Sequence, residues 1–308
     1  MESSGSYHAP VMVQEVLEYL QPSRGGLFFD GTLGGGGHTK AILEAGANAR
    51  VYGVDQDTEA LDVAGRRLAE FGDRVELVHG NFADEAESLS SPLAGALLDL
   101  GVSSHQIDEQ SRGFSFRSGT PLDMRMHGGS SEPTAADLLN ELGQDELADI
   151  FFHYGDERKS RRLAREIVNT RAHTPFRTSD DLIGAMERSL GSRLEAQDKA
   201  RIFQALRIAV NSELTVLERA LEALRERLEG DGVLVVLSYH SLEDRRVKDA
   251  FREWSRSCIC PPELPICVCR GHALGETLTK RPRLATPEEI AANTRARSVR
   301  LRAWRKAA

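Results

Sequence analysis

At 308 residues the chain exceeds the roughly 100 to 200 residues of one ordinary core, which implies either one large domain carrying an insertion or two domains. Apolar residues at 40% and charged residues at 28% lie near the globular average and exclude long disorder or a fibrous repeat. The net charge of -8 argues at first sight against a nucleic-acid partner; no apolar run approaches the ~18 residues of a membrane span, and the polar start Met1 to Ser6 points to a cytoplasmic protein.

In chain order, Leu27 to Asp30 reads as a first buried strand. It is followed by the glycine-saturated turn Asp30-Gly31-Thr32-Leu33-Gly34-Gly35-Gly36-Gly37-His38, which leads into a helix over Thr39 to Ala45. Glycine lacks Cβ, so such a turn between a strand and a helix suits close approach of the backbone to a ligand. Val51 to Val54 is the second strand, and Thr58 to Phe71 is a helix with Leu61, Ala64 and Leu68 on one face. Val75 to His79 and Ala94 to Leu100 are the third and fourth strands. This alternation predicts an α/β fold with a doubly wound, mostly parallel sheet, whose ligands bind at the carboxyl ends of the strands.

The next 130 or so residues carry no convincing strand, too long a stretch for a loop. Helical patterns at Asp137 to Leu142, Asp145 to Tyr154, Lys159 to Arg171, Ser179 to Leu190 and Asp198 to Asn211 predict an all-helical insertion over residues 111–211, with residues 1–110 and 212–308 forming the sheet domain. Leu214, Leu217, Leu221, Leu224 and Leu228 mark a helix whose stop is bracketed by Gly230 and Gly232, ahead of a fifth strand over Val233 to Ser238. Ser298 to Ala303 alternates Val299 and Leu301 with Arg300 and Arg302 and predicts a final edge strand protected by its charges. From Lys280 onward, nine Lys or Arg face only Glu288 and Glu289, a local charge of +7. With a second basic run at Arg158 to Arg165, this tail reopens the case for a nucleic-acid partner.

The second strand ends at Asp55, where a carboxylate can accept both hydroxyls of a ribose. NAD would be held likewise, but the G-x-G-x-x-G spacing fails: Gly35 and Gly37 are followed at the third position by Lys40. A nucleoside cofactor without a pyrophosphate, S-adenosylmethionine, fits these residues better. Asp57 reads as a helix cap. The third strand exits towards Phe82, whose ring suits either an adenine face or the core, and the fourth ends at Asp99, a carboxylate on an otherwise apolar strand that needs a partner.

Taken together, His8-Ala9-Pro10-Val11, Asp30 to His38, Asp55-Gln56-Asp57, Asp99 to Ser104, Arg112-Gly113-Phe114-Ser115-Phe116, Pro121 to Met126, Tyr154 to Arg158, Phe203 to Ile208, His240 to Arg245 and Asn293 to Ser298 resemble the ribosomal RNA small-subunit methyltransferase H family in the family's order. The resemblance spans almost the whole chain. It implies a class I, Rossmann-like S-adenosylmethionine-dependent methyltransferase acting on the exocyclic N4 of a cytidine in 16S ribosomal RNA near the decoding site. The substrate would be met within the small ribosomal subunit, and a homodimer is left open. Carried over, the cofactor contacts are Gly36, Gly37, His38, Asp55, Phe82, Asp99 and Gln106. His105 and Tyr239 stand where the family usually has proline and phenylalanine, departures expected to touch no ligand.

No catalytic base is assigned. Asp99, Asp123 and His240 are candidates, although Asp123 reads equally as the partner of Arg125, and Ser241 with Asp244 as a helix cap. The Arg112 to Arg117 segment, with Phe114 and Phe116, suits either an unstacked base or a lid anchored in the core. The insertion and the basic tail are the expected RNA surfaces, with tail arginines on phosphates. Cys258, Cys260, Cys267 and Cys269 are all the cysteines of the chain; a zinc site is conceivable, but their one-residue spacing is less usual than two and no metal is assigned. The rival readings are an NAD-dependent oxidoreductase and a non-catalytic RNA-binding assembly factor.

Overall fold

The computed structural model describes residues 10–101, 109–126, 132–261, 264, 266 and 268–308. Contacts divide the chain into two units, one within Val102–Glu213 and one built from Tyr7–Gly101 with Leu214–Ala308. Among the described residues no helix is long and apolar enough to cross a membrane.

The larger unit opens with α1 (Val13–Leu20), β1 (Gly26–Asp30), α2 (Gly37–Ala45), β2 (Ala49–Asp55), α3 (Thr58–Leu68), β3 (Val75–His79), α4 (Phe82–Ser88) and β4 (Leu93–Asp99). Each strand is a short apolar run, and each crossover helix starts where a local cap is available: Asp57 accepts from the Glu59 N–H at 3.0 Å and Asn81 from the Ala83 N–H at 2.9 Å. Asp57 therefore caps a helix, as its sequence context indicates.

The smaller unit carries α5 (Ala135–Glu141), α6 (Gln144–Gly155), α7 (Ser160–Arg171), α8 (Ser179–Leu190) and α9 (Ala196–Val210). Reciprocal capping boxes pair Thr134 with Asp137 and Thr178 with Asp181. Leu139, Leu147, Phe151, Leu163, Ile167, Leu182 and Leu206 close a core belonging to this unit alone. Phe114 packs on that core, and the Phe116 ring meets Phe203 edge-on with centroids 5.9 Å apart. Of the two readings of the Arg112 to Arg117 segment, this geometry shows the anchored one.

The larger unit resumes with α10 (Glu213–Arg227), β5 (Leu228–Ser238), α11 (Ser241–Trp254), β6 (Gly275–Thr277), α12 (Pro287–Ala292) and β7 (Arg300–Lys306). Its seven strands lie in the order β3-β2-β1-β4-β5-β7-β6. The first five are parallel, and β7 runs antiparallel between β5 and β6. Side chains alternate across the sheet, so Phe28 joins the core on one face and Phe29 the core on the other. The strand order reverses between β1 and β4, and this switch point gathers the ends of β1, β2 and β4 on one edge.

Three expectations are corrected. The C-terminal strand is not an edge: Trp304, Ala303 and Leu301 are buried, and the three-residue β6 takes the outer position. Gly230 and Gly232 do not stop a helix but lie inside β5, whose pairing with β4 is irregular at Leu93 and Gly95. Finally, the strand arginines are structural. Asp244 on α11 binds Arg302 through Nε at 2.7 Å and Nη2 at 3.2 Å, with Arg300 at 3.6 Å. Arg305 reaches Glu276 at 3.4 Å, and Lys306 donates to the carbonyls of Leu228 and Glu226 at 2.6 and 3.0 Å. A buried arginine needs such a partner, so the charge of Arg302 is spent inside the fold, while Lys280, Arg281, Arg283 and Arg297 stay exposed.

Candidate functional site

The glycine turn leaves β1 at Asp30, whose carboxyl is 1% exposed. It accepts from the Thr39 hydroxyl at 2.7 Å and the Thr32 N–H at 3.3 Å. Burial raises its pKa above the usual carboxylate value, against the pull of Thr39 and of His38 nearby. The Thr32 hydroxyl in turn accepts the Asp99 N–H at 2.6 Å, tying the ends of β1 and β4 together.

Asp55, at the end of β2, holds the middle of the turn. Its Oδ2 accepts the Gly34 N–H at 2.7 Å and its Oδ1 the Asp57 N–H at 2.9 Å. Burial pushes its pKa up to about 6, because desolvation outweighs the two backbone donors, and Asp57 and Asp30 add repulsion. Gly34 adopts φ 52° and Gly36, which precedes α2, φ 74°, both left-handed conformations that a side chain would strain. A Cβ on Gly36 would lie 3.0 Å from Leu68, and one on Gly37 2.9 Å from Pro10. At these two positions the need for glycine is set by neighbouring protein atoms as well as by any ligand.

His38 lies in the first turn of α2, 6% exposed, with Nε2 3.5 Å from Asp99 Oδ2. Among the described residues neither ring nitrogen has a hydrogen-bond partner, the 3.5 Å approach to Asp99 being a charge contact and not a hydrogen bond. A buried unpaired polar group costs ~1 to 3 kcal/mol, so this imidazole is placed for something that binds beside it. Asp99 keeps 22% of its side chain exposed, and its Oδ1 accepts the Tyr239 hydroxyl at 2.7 Å. Burial and the adjacent Asp99 charge push the Tyr239 pKa far upward, so the phenol stays a donor.

The structure thus brings Gly36, Gly37, His38, Asp55 and Asp99 to one strand edge, with His38 and Asp99 in direct contact. Phe82 begins α4 at the end of β3; it is half-buried and packs on the core that contains Ala83 and Leu98. Gln106 and His105 lie outside the described residues. Asp123 is engaged in the smaller unit: burial alone would raise its pKa, but Arg125, at 2.7 and 2.9 Å, holds it below the usual range. His240, and not Ser241, caps α11: Glu243 closes the box by accepting the Tyr239 and His240 N–H groups at 2.8 and 3.2 Å. Asp244 is freed from that expected role and takes the arginines of β7.

Sequence reasoning missed Asp30, Thr32 and Tyr239 as members of the site. Asp30 carries the same signal that marked Asp99, an acid closing an apolar strand. Tyr239, expected only to touch no ligand, donates to the carboxylate of Asp99. Tyr239→Phe removes one donor from that carboxylate and is expected to lower unfolding free energy by about 0.5–1.5 kcal/mol. Thermal melting checks this, and an unchanged midpoint would show that Asp99 draws no support from the phenol.

The profile of the MraW methylase family matches residues 5–307. The chain belongs to this family. Among similar proteins, a ribosomal RNA small subunit methyltransferase H from Gemmatimonas aurantiaca is 52% identical over 309 residues, covering 99% of this chain and 96% of that protein. One from Heliobacterium modesticaldum is 48% identical, covering 97% and 98% of the two chains. A third, from Pelobacter propionicus, is also 48% identical, covering 98% and 99%. The mostly parallel α/β sheet described above is therefore that of a MraW family member.

Proposed function

We propose that the chain transfers a methyl group from S-adenosylmethionine to the exocyclic N4 of a cytidine in 16S ribosomal RNA near the decoding site, acting in the cytoplasm on the small ribosomal subunit. The observation that carries the reading is His38: a buried imidazole without a hydrogen-bond partner among the described residues, set against Asp99 at the switch point of a sheet whose chain is about half identical to small-subunit RNA methyltransferases. Mapping modified nucleotides in 16S RNA from cells lacking the protein tests it. Loss of N4-methylcytidine at one position is expected, and an unaltered map would remove the assignment.

The residues present fit the cofactor. Asp55 retains free acceptor capacity on both oxygens for ribose hydroxyls, while its two backbone bonds hold the turn in place. The carboxylate of Asp99 gives the edge a negative potential suited to a sulfonium and an ammonium. Gly36, Gly37, His38 and Phe82 complete the described contact set. S-adenosylmethionine supplies a methyl already activated for transfer. The cytosine amine is a poor nucleophile because its lone pair is delocalised, so the protein's task is mainly alignment, worth ~7 to 11 kcal/mol when well realised. Of the three candidate acids and bases we assign Asp99 to orient the amine and accept its proton, because it lies on the same strand edge as Asp55 and His38; Asp123 pairs with Arg125 in the smaller unit.

The Asp55 titration gives a pH signature. A ribose hydroxyl donates better to a carboxylate than to a carboxylic acid, so binding favours the deprotonated form. With Asp55 pushed up to about 6, affinity is expected to rise from pH 5 to 7 and level off above it. Calorimetric titration across that range checks this against Asp55→Asn, which should not follow the same curve. Parallel curves would exclude Asp55 as the titrating group.

For the RNA, we take the basic run of the smaller unit as the phosphate-binding surface. Arg158, Lys159, Arg161, Arg162 and Arg165 are exposed at and around the start of α7, whereas Arg302 is buried on Asp244. Reversing Arg161 and Arg162 to Glu is expected to weaken RNA binding more than 10-fold and to reduce the salt dependence of log K by roughly 1 to 2. Cofactor affinity should stay constant. Filter binding at several salt concentrations measures it, and an unchanged slope would place the phosphates on another surface.

A further inference from the structure

The segment between α11 and β6 is tied down at both ends by ordinary hydrogen bonds. Arg270 binds Glu253 Oε1 at 2.9 Å and the carbonyls of Glu253 and Arg256 at 2.5 and 3.2 Å, and the Leu274 N–H donates to the Trp254 carbonyl at 2.8 Å. Between those anchors the apolar side chains face solvent: Ile259 and Leu264 are exposed, and Ile266 and Val268 are 74% and 76% exposed. A loop whose aliphatic residues point outward has no core of its own to hold it, and such segments depend on a covalent or metal staple.

What the segment does gather is sulfur. The Sγ atoms of Cys258, Cys260 and Cys269 all lie within 4.8 Å of one another. Cys269 Sγ and Cys258 Sγ are 3.8 Å apart. That is too far for a disulfide, whose sulfurs are bonded at ~2.05 Å. It equals the edge of a tetrahedron of thiolates around zinc, since a Zn–S bond of ~2.3 Å gives an S···S edge of about 3.8 Å. Backbone donors already face two of the sulfurs: the Ile259 N–H lies 3.3 Å from Cys269 Sγ and the Val268 N–H 3.4 Å from Cys260 Sγ. N–H···S bonds of this kind stabilise negative charge on sulfur and orient the ligand, the role of a supporting shell around a metal.

We propose that Cys258, Cys260 and Cys269 bind a zinc ion that fixes this loop. Each thiol gives up its proton to solvent as its sulfur takes the metal, so the ion replaces three protons and pins the two arms of the loop to each other across its exposed tip. The site lies outside the switch point and is independent of the proposed methyl transfer. Cys267 lies outside the described residues and is not needed for the argument.

The test uses the full chain, purified under thiol reductant and without metal-affinity resin. Elemental analysis should find about one zinc per chain, falling to less than about a tenth in the Cys258→Ser, Cys269→Ser double variant. Because the loop lies outside both cores of the sheet, the variant should keep its helical circular dichroism. If it does not, the wild type decides the matter. Loading the metal-free chain with cobalt(II) should produce the thiolate charge-transfer bands and intense visible absorption of a tetrahedral sulfur site. The proposal is overturned if the reduced wild type holds no zinc after incubation with zinc and desalting, if cobalt gives only the pale spectrum of an aqueous ion, or if the double variant binds zinc as the wild type does.

Discussion

Replacing Asp55 with alanine is expected to weaken S-adenosylmethionine binding by about 10- to 150-fold, the equivalent of ~1.5 to 3 kcal/mol of lost charged hydrogen bonds. Two losses contribute. The proposed ribose acceptor disappears, and the Gly34 and Asp57 N–H groups, held at 2.7 and 2.9 Å, lose the carboxylate that fixes the turn. Asp55→Asn separates them, because an amide oxygen can still accept from one backbone donor while its NH2 opposes the other. Calorimetric titration of wild type and both variants is the measurement, and the asparagine variant should fall between the other two. A dissociation constant unchanged in Asp55→Ala would remove this residue from the site, whatever its effect on the loop.

The largest stability effect is expected at Trp304. Its side chain is 0% exposed, meets Trp254 edge-on with centroids 5.1 Å apart, lies 6.4 Å from Phe251, and donates from Nε1 to Ser255 Oγ at 3.2 Å. Trp304→Ala empties this cluster, so the unfolding free energy should fall by about 3–5 kcal/mol. For a unit of this size that is a drop in melting temperature of roughly 6–20 °C. Trp254, the other tryptophan of the chain, reports the transition by fluorescence. A loss below about 1 kcal/mol would mean that the sheet can repack around the gap.

The parallel half of the sheet was legible because its strands are short apolar runs punctuated by capped helices; Val75 to His79 and Ser179 to Leu190 carry their boundaries in the sequence. Asp55 and Asp99 could be singled out because an acid closing an apolar strand has few structural uses. What pattern reading could not reach was pairing at long range. Arg302 looks like a solvated edge charge until Asp244, 58 residues away, is seen beside it, and Tyr239 looks like a passive substitution until its hydroxyl meets Asp99, 140 residues away. The three residues of β6 are too few to show a period of two, so β7 could not be recognised as an interior strand. The α11 cap was displaced by one residue because histidine is a less familiar cap than serine, and Nδ1 of His240 takes the place that a hydroxyl was expected to fill.

The position of β7 has a consequence for the order of assembly. Strand β5 is built from Val233, Leu234, Val235 and Val236, all buried, and β7 is its neighbour on the side away from β4. During synthesis about 60 residues separate the end of β5 from the strand that covers it, so a nascent chain passes through an interval in which an apolar β edge is complete but uncapped. The arginines of β7 then act as latches: once Arg302 reaches Asp244 the strand is registered, and a late, non-local pairing converts a sticky intermediate into a closed sheet.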